Sequence, residues 1–231
     1  MLEAVDLGYR FGSSGPWIFQ GMNMRIGPGE VVGLFGPSGL GKTTFGHLLG
    51  GYLAPAQGRV LLGGAALPVR GYCPVQCVHQ HPELSVNPRW RLGRTLREAY
   101  DPPEALLDSL GIADAWLSRY PHELSGGELQ RIAVARALGP GTRYLVADEM
   151  TAMLDAITQA HIWRAVMAHC RDNGVGALVI SHDEALLARL CSRVIVFGSV
   201  AGGMTAAGSV AAMESEEAVA RERAQAAGSA A

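Results

Sequence analysis

The run Gly36-Pro37-Ser38-Gly39-Leu40-Gly41-Lys42-Thr43 sets glycines, a lysine and a hydroxyl at the spacing G-x-x-x-x-G-K-[ST], the pattern of a loop that cradles phosphate. Glycines let the backbone turn tightly enough for successive N–H groups to face one anion. A helix beginning after them points the positive end of its dipole the same way. Lys42 would then reach the β- and γ-phosphates of a nucleotide and the Thr43 hydroxyl would hold Mg²⁺, with Thr44 counted among the nucleotide-binding residues. The chain has 19 basic residues, and Lys42 is its single lysine. A coding preference for arginine explains the others. At this position a compact point charge on a flexible stem fits between two phosphoryl groups where a planar guanidinium would not.

A second group of chemically capable residues ends the apolar run Tyr144-Leu145-Val146-Ala147: the adjacent acids Asp148 and Glu149. Strand neighbours point to opposite faces, so the two acids are expected to do different work. Asp148 is assigned to Mg²⁺ through water, and Glu149 to orienting and deprotonating an attacking water. Alone, such a pair is more commonly a helix cap or a solvated turn. The phosphate loop upstream favours the catalytic reading, and together the two motifs point to a nucleotide that is bound with Mg²⁺ and hydrolysed.

The elements that must position these groups are legible as a rhythm. Val31 to Phe35 is a continuous apolar run, followed by the glycine loop and a helical pattern over Thr43 to Leu49. Later apolar runs at Tyr144 to Ala147, Ala177 to Ile180 and Val194 to Phe197 each follow a helix-like stretch, as in a mostly parallel α/β sheet covered by helices. Glu3 to Leu7 and Met22 to Ile26 read as strands of an N-terminal antiparallel layer. Between about Asn87 and Leu138 the pattern becomes helical, with Pro102-Pro103 opening one segment and Gly111 closing it, which predicts an inserted helical subdomain. One domain is expected over 1–213, then a C-terminal helix and flexible tail over 214–231.

Leu124-Ser125-Gly126-Gly127-Glu128-Leu129-Gln130-Arg131, lying between the phosphate loop and the acid pair, resembles the signature motif of the ATP-binding cassette (ABC) ATPases. Physically it is another anion nest, with Ser125 and the Gly126 and Gly127 amides at a helix start. The resemblance implies a P-loop ABC ATPase fold and a dimer in which Ser125, Gly126, Gly127 and Glu128 face the ATP of a partner cassette. Four smaller motifs follow the same family in order. Gln80 stands where the family has a glutamine that senses Mg²⁺ and the attacking water. Asp155, in Met153-Leu154-Asp155, resembles the loop lining the dimer interface. His182, in Ile180-Ser181-His182-Asp183, matches the histidine that contacts the γ-phosphate. Phe11 takes the place of the aromatic that stacks on adenine, with Tyr9 as an alternative.

Within that family, Asn87-Pro88-Arg89 and Arg119-Tyr120-Pro121-His122-Glu123 are most similar to the peptide and nickel importer ATPases. Two departures stand out: Met150 replaces the proline that usually follows the catalytic glutamate, and Glu128 stands where the subgroup usually has glutamine. The C-terminal extension common in the subgroup is not recognisable. The resemblance implies a motor for an importer of peptides, nickel or a related small solute, peripheral on the cytoplasmic face of the membrane. Its expected partners are a second cassette (a copy or a paralogue), integral permease subunits and, indirectly, an extracytoplasmic solute-binding protein. An exporter motor, or a soluble ABC ATPase of DNA repair or translation, is the alternative.

Composition agrees with a globular protein that does not bind nucleic acid: 48% hydrophobic, 17% charged, formal net charge −2, with arginines scattered rather than striped. No apolar run approaches the length of a bilayer span, and the first residues lack a basic region followed by an apolar one, so a cytosolic chain with reduced thiols is expected. Cys73, Cys77, His79 and His81 share one face of an extended strand by their even spacing. Their intervals are not those of a standard zinc site, and strand and loop packing is the favoured reading.

Overall fold

The computed structural model describes residues 1–200 and 203–205; the helix and tail expected over 214–231 lie outside them. β1 (Leu2–Arg10) and β2 (Trp17–Ile26) show how a half-buried strand keeps one face apolar. Leu2, Ala4 and Leu7 of β1 are all buried although their numbers change parity. An irregularity between Ala4 and Leu7, with Asp6 at φ 51°, restores the facing, as a bulge does. The Asn23 side-chain oxygen accepts from the Asp6 amide at 2.9 Å. Two strands that the sequence reading did not place, β4 (Gln57–Leu62) and β5 (Ala65–Ala66), complete a four-stranded antiparallel sheet in the order β2-β1-β4-β5.

The second sheet is built from β3 (Val31–Phe35), β6 (Val75–His79), β7 (Tyr144–Asp148), β8 (Gly176–Ile180), β9 (Arg193–Val200) and β10 (Gly203–Thr205). Its order is β10-β9-β3-β8-β7-β6. All neighbours are parallel except β10, which runs antiparallel to β9. Every residue of β7 and β8 is buried, the expected signature of parallel strands covered on both faces.

One covering layer is α1 (Lys42–Leu49), packed together with the antiparallel sheet. Phe45 is 0% exposed, and its ring meets Phe19 of β2 at 5.9 Å and Phe197 of β9 at 6.0 Å. That aromatic cluster joins both sheets to the helix that follows the glycine loop. The other layer holds α5 (Gly126–Ala137), α6 (Ala156–Asn173) and α7 (Glu184–Leu190), whose apolar faces share a cluster with Leu145, Ala147, Ala177 and Val179. The helical stretch expected between 87 and 138 holds α2 (Leu92–Leu96), α3 (Glu104–Leu110), α4 (Asp114–Leu117) and α5. Pro103 precedes α3 in extended geometry, and Gly111, at φ 63°, ends it. Among the described residues no helix is long and apolar enough to cross a membrane.

Phe45→Ala should cost about 3–5 kcal/mol, the usual range for emptying a buried aromatic site. Val69→Ala, at a fully solvated position, should stay within about 0.5 kcal/mol. Urea unfolding midpoints at equal slope give both values.

Candidate active site

The expected residues of the phosphate loop, Gln80, Asp148, Glu149 and His182 converge because of strand order. Across the parallel sheet, β3 leads into the glycine loop, β8 into Ser181 and His182, β7 ends at Asp148 with Glu149 next, and β6 runs into Gln80. All four strands release their chemistry at their C-terminal ends, where open α/β sheets form their crevice. A cleft of about 450 Å³ lies there. Ser38, Gly39, Gly41, Lys42, Thr43, Thr44, Gln80, Asp148, Glu149 and His182 line it, together with Phe11.

The glycine loop has the conformation its composition implies. Gly41 has φ 97°, and a Cβ there would lie 2.5 Å from Ile18 Cγ2. At Gly36 a Cβ would lie 2.5 Å from the Phe197 carbonyl oxygen. The partly buried Leu40 side chain packs against the cluster that contains Phe45. Lys42 is 7% exposed, and its Nζ donates to the carbonyl oxygens of Gly36 at 2.6 Å and Pro37 at 2.8 Å. Burial pushes the Lys42 ammonium below its usual range, while the charges of Glu149 and Asp148 oppose that shift.

Asp148 is 6% exposed, and its Oδ1 is buried without a hydrogen-bond partner. Burial raises its pKa, offset by a hydrogen bond from Thr43 and by the charge of His47. An orphaned, buried carboxylate oxygen beside a threonine hydroxyl is the donor set a hard divalent cation takes, so the residues fit Mg²⁺.

Glu149 corrects the argument from strand alternation. β7 ends at Asp148, and Glu149 stands outside it at φ 50°, a left-handed geometry uncommon for a residue with a side chain. Such a backbone costs of order 1–3 kcal/mol and persists where its surroundings impose it. Here the Glu149 amide donates to the Ile180 carbonyl at 3.0 Å. The backbone reversal, not the pleat, separates the two acids. Glu149 Oε1 lies 2.9 Å from His182 Nδ1, and Oε2 is buried without a partner. Met150, in the place of the expected proline, is 2% exposed, and the turn it belongs to is closed by the Ala152 amide donating to the Glu149 carbonyl at 3.1 Å.

The expected residues of the signature motif and Asp155 lie elsewhere, and Phe11 sits at the rim of the cleft. Ser125 caps α5: its Oγ accepts from the Glu128 amide at 3.3 Å, and Glu128 Oε2 accepts from the Ser125 amide at 2.7 Å and hydroxyl at 2.8 Å. This capping box leaves Ser125, Gly126, Gly127 and Glu128 off the cleft of their own chain. Those hydrogen bonds hold the Glu128 carboxyl below its usual range, so it remains an anion at the helix start. Asp155 likewise caps α6, accepting from the Ile157 and Thr158 amides at 3.0 Å each. Phe11 is 66% exposed, its ring braced edge-on by Tyr9 at 5.3 Å, while Tyr9 itself packs against the core. Cys73 and Cys77 turn toward carbonyls of Gly50 and Gly46 at 3.7 and 3.9 Å, and His81 pairs with Glu83 at 3.2 Å. Cys73, Cys77 and His79 therefore keep the shared face, all turned toward α1 and the glycine that caps it, and His81 alone leaves the group. Sequence reasoning missed Ile18, which lines the cleft under Gly41, and His47, which lies on the face of α1 that carries Thr43. The interval of four between Thr43 and His47 was the available signal.

Comparison with known proteins gives a consistent result. A family model described as ABC transporter matches residues 19–152. The nickel import system ATP-binding protein NikE of Staphylococcus aureus is 34% identical over 209 residues, covering 84% of this chain and 84% of that protein. The lipoprotein-releasing system ATP-binding protein LolD 2 of Caulobacter vibrioides is 36% identical over 211 residues, covering 84% and 92%. Among solved structures, cbiO1 of Clostridium perfringens, part of the ABC transporter complex cbiONQ, shares the fold at TM-score 0.74 and 24% identity, covering 96% of this chain and 93% of that one. A dimeric ATP-binding cassette in a post-hydrolysis state bound to ADP and Pi shares it at TM-score 0.73 and 22% identity, covering 88% and 96%.

The capping box yields a prediction. Ser125→Ala should lose about 1 kcal/mol of stability, whereas Glu128→Gln, which keeps a side-chain acceptor at the same position, should stay within about 0.5 kcal/mol. Thermal unfolding of the two variants separates them.

Proposed function

The chain belongs to the ABC transporter family as an ATP-binding, ATP-hydrolysing subunit, and we propose that it powers an importer of nickel, peptides or a related small solute. The observation that carries the mechanism is the single cleft in which Lys42, Thr43, Gln80, Asp148, Glu149 and His182 meet. ATP binds with its phosphates on the amides of the 36–43 loop and its adenine against Phe11. Lys42 exchanges the Gly36 and Pro37 carbonyls for phosphate oxygens and balances the negative charge there. Thr43, Asp148 and Gln80 hold Mg²⁺, which when bound neutralises charge on the phosphates. Glu149 orients the attacking water and takes its proton on the carboxylate, while His182 fixes Glu149 through Oε1 and reaches toward the γ-phosphate.

A second cassette completes the site. Ser125, Gly126 and Gly127 form an N–H-rich helix start that lies off the cleft of their own chain, which supports their serving the ATP of a partner subunit. The exposed apolar side chains of Met153 and Ile157 beside Asp155 support the same reading, since they flank the loop that would face the partner. Membrane permease subunits are the load, with a solute-binding protein engaged indirectly on the other side, and the chain sits on the cytoplasmic face as a peripheral subunit. A second reading, an ATPase for lipoprotein release, is favoured by the similarity to LolD 2.

Glu149→Gln should lower ATP turnover by about 10²- to 10⁴-fold, the range for removing a general base, and leave an ATP-stabilised dimer visible by size-exclusion chromatography. Undiminished turnover would remove Glu149 from the mechanism. Chelation of divalent cations should abolish hydrolysis and added Mg²⁺ restore it. Affinity capture from native membranes tests the load: permease subunits with a solute-binding protein support import, and lipoprotein-release components support the second reading.

A further inference from the structure

Beside the nucleotide cleft lies a second one of about 520 Å³, lined by His47, Tyr52, His79, Gln80, Arg136 and Asp148 among others. Three elements bring its ligating groups together. The parallel register of β6 and β7 pairs His79 with Asp148, so both side chains leave adjacent strands on one face. α1 packs over that face, and His47, one turn beyond Thr43, reaches the same point.

The ligand atoms of His47, His79 and Asp148 all lie within 4.8 Å of one another. His47 Nε2 and His79 Nδ1 are 3.4 Å apart. Zn–N bonds of about 2.0–2.1 Å in a tetrahedral site put two ligand nitrogens about 3.3 Å apart, so this pair already has the spacing of one edge. Asp148, whose buried carboxylate has one oxygen without a hydrogen-bond partner, offers the oxygen ligand. Tyr52 flanks both imidazoles, with ring centroids at 5.9 and 5.7 Å. The Gln130 amide donates to the His79 carbonyl at 3.1 Å and steadies the strand end. Arg136, the cation lining this cleft, is paired with Glu98 at 3.4 Å.

We propose that His47, His79 and Asp148 form a site for a borderline divalent transition cation such as Zn²⁺, and that its occupation arrests hydrolysis by taking Asp148 away from Mg²⁺. Two imidazoles and one carboxylate are a donor set that prefers such a cation over Mg²⁺, which binds through oxygen. Three protein ligands leave a fourth position open to the cleft. With its carboxylate committed to the imidazole side, Asp148 cannot serve the Thr43 side at full charge. The inhibitory half rests on the proposed role of Asp148; the binding half does not.

Equilibrium dialysis of tag-free, nucleotide-free protein against Zn²⁺ tests the binding half. One equivalent is expected, with affinity falling by more than about tenfold in His47→Gln and in His79→Gln, since loss of a direct ligand exceeds the outer-shell effect. Co²⁺ in place of Zn²⁺ should show visible absorption of a tetrahedral nitrogen and oxygen site. A sulfur-to-metal charge-transfer band would instead assign the ligands to the cysteines and overturn the proposal, as would unchanged Zn²⁺ affinity in both variants. In the Mg²⁺-supported ATPase assay, Zn²⁺ should inhibit the wild-type chain reversibly while His47→Gln resists it. Equal inhibition of the two would mean that Zn²⁺ acts elsewhere, on ATP itself for example, and would overturn the inhibitory half while Glu149→Gln still tests the ATPase reading.

Discussion

Two opposite charges, the Lys42 ammonium and the Asp148 carboxylate, are buried at the C-terminal edge of one sheet, and most of the architecture exists to hold them there without pairing them to exhaustion. Burial disfavours both ionised forms: it pushes Lys42 down and Asp148 up. A direct, saturated ion pair would relieve that cost but leave nothing to bind phosphate or a cation. Lys42 instead leans on two loop carbonyls, and Asp148 keeps one oxygen without a partner. Both arrangements are stable enough to persist and loose enough to be exchanged for a ligand.

That poise depends on groups distant in sequence. Lys42 opens α1, beyond the loop that follows β3, and Asp148 ends β7; β8 separates those two strands, so the charges approach because α1 lies across the sheet. Phe45 locks that helix in place through Phe19 of the antiparallel sheet and Phe197 of β9. The antiparallel layer therefore serves the site twice, clamping α1 from outside and placing Phe11 at the rim of the cleft. The strained backbone of Glu149 belongs to the same economy of position, since it turns one acid toward His182 while its neighbour stays buried.

Helix starts are used in two different ways. At α1 the N-terminus is left open, with glycines and no side-chain cap, so its amides remain available to an anion. At α5 and α6 the starts are closed by Ser125 and Asp155, whose side chains accept from the helices' own amides. Glu128 adds a carboxylate to the positive end of α5, and a partner's phosphate arriving there would have to displace or repel it. The same local rule thus yields an open binding loop in one place and a stable, separately presented surface in another.

The chain's alternation of apolar runs and helical patterns determined the α/β architecture, and the glycine loop with its lysine and threonine carries the pattern of a phosphate cradle. Both are local: a P-loop needs only its own eight residues and the strand and helix on either side. The antiparallel strands β4 and β5 were not legible, since short, half-exposed segments pair by tertiary context rather than by pattern. The sequence named Asp148 and Glu149 but misjudged what separates them, because the φ of 50° at Glu149 accompanies a hydrogen bond to the Ile180 carbonyl of a strand distant in sequence. Even spacing put Cys73, Cys77 and His79 on one face, as found, but it gave no sign that the sheet register and α1 bring His47 and Asp148 to His79. Residue types and near spacings are written along the chain; which side chains share a point in space is decided by strand order, register and helix packing, which bring together groups that no local spacing connects.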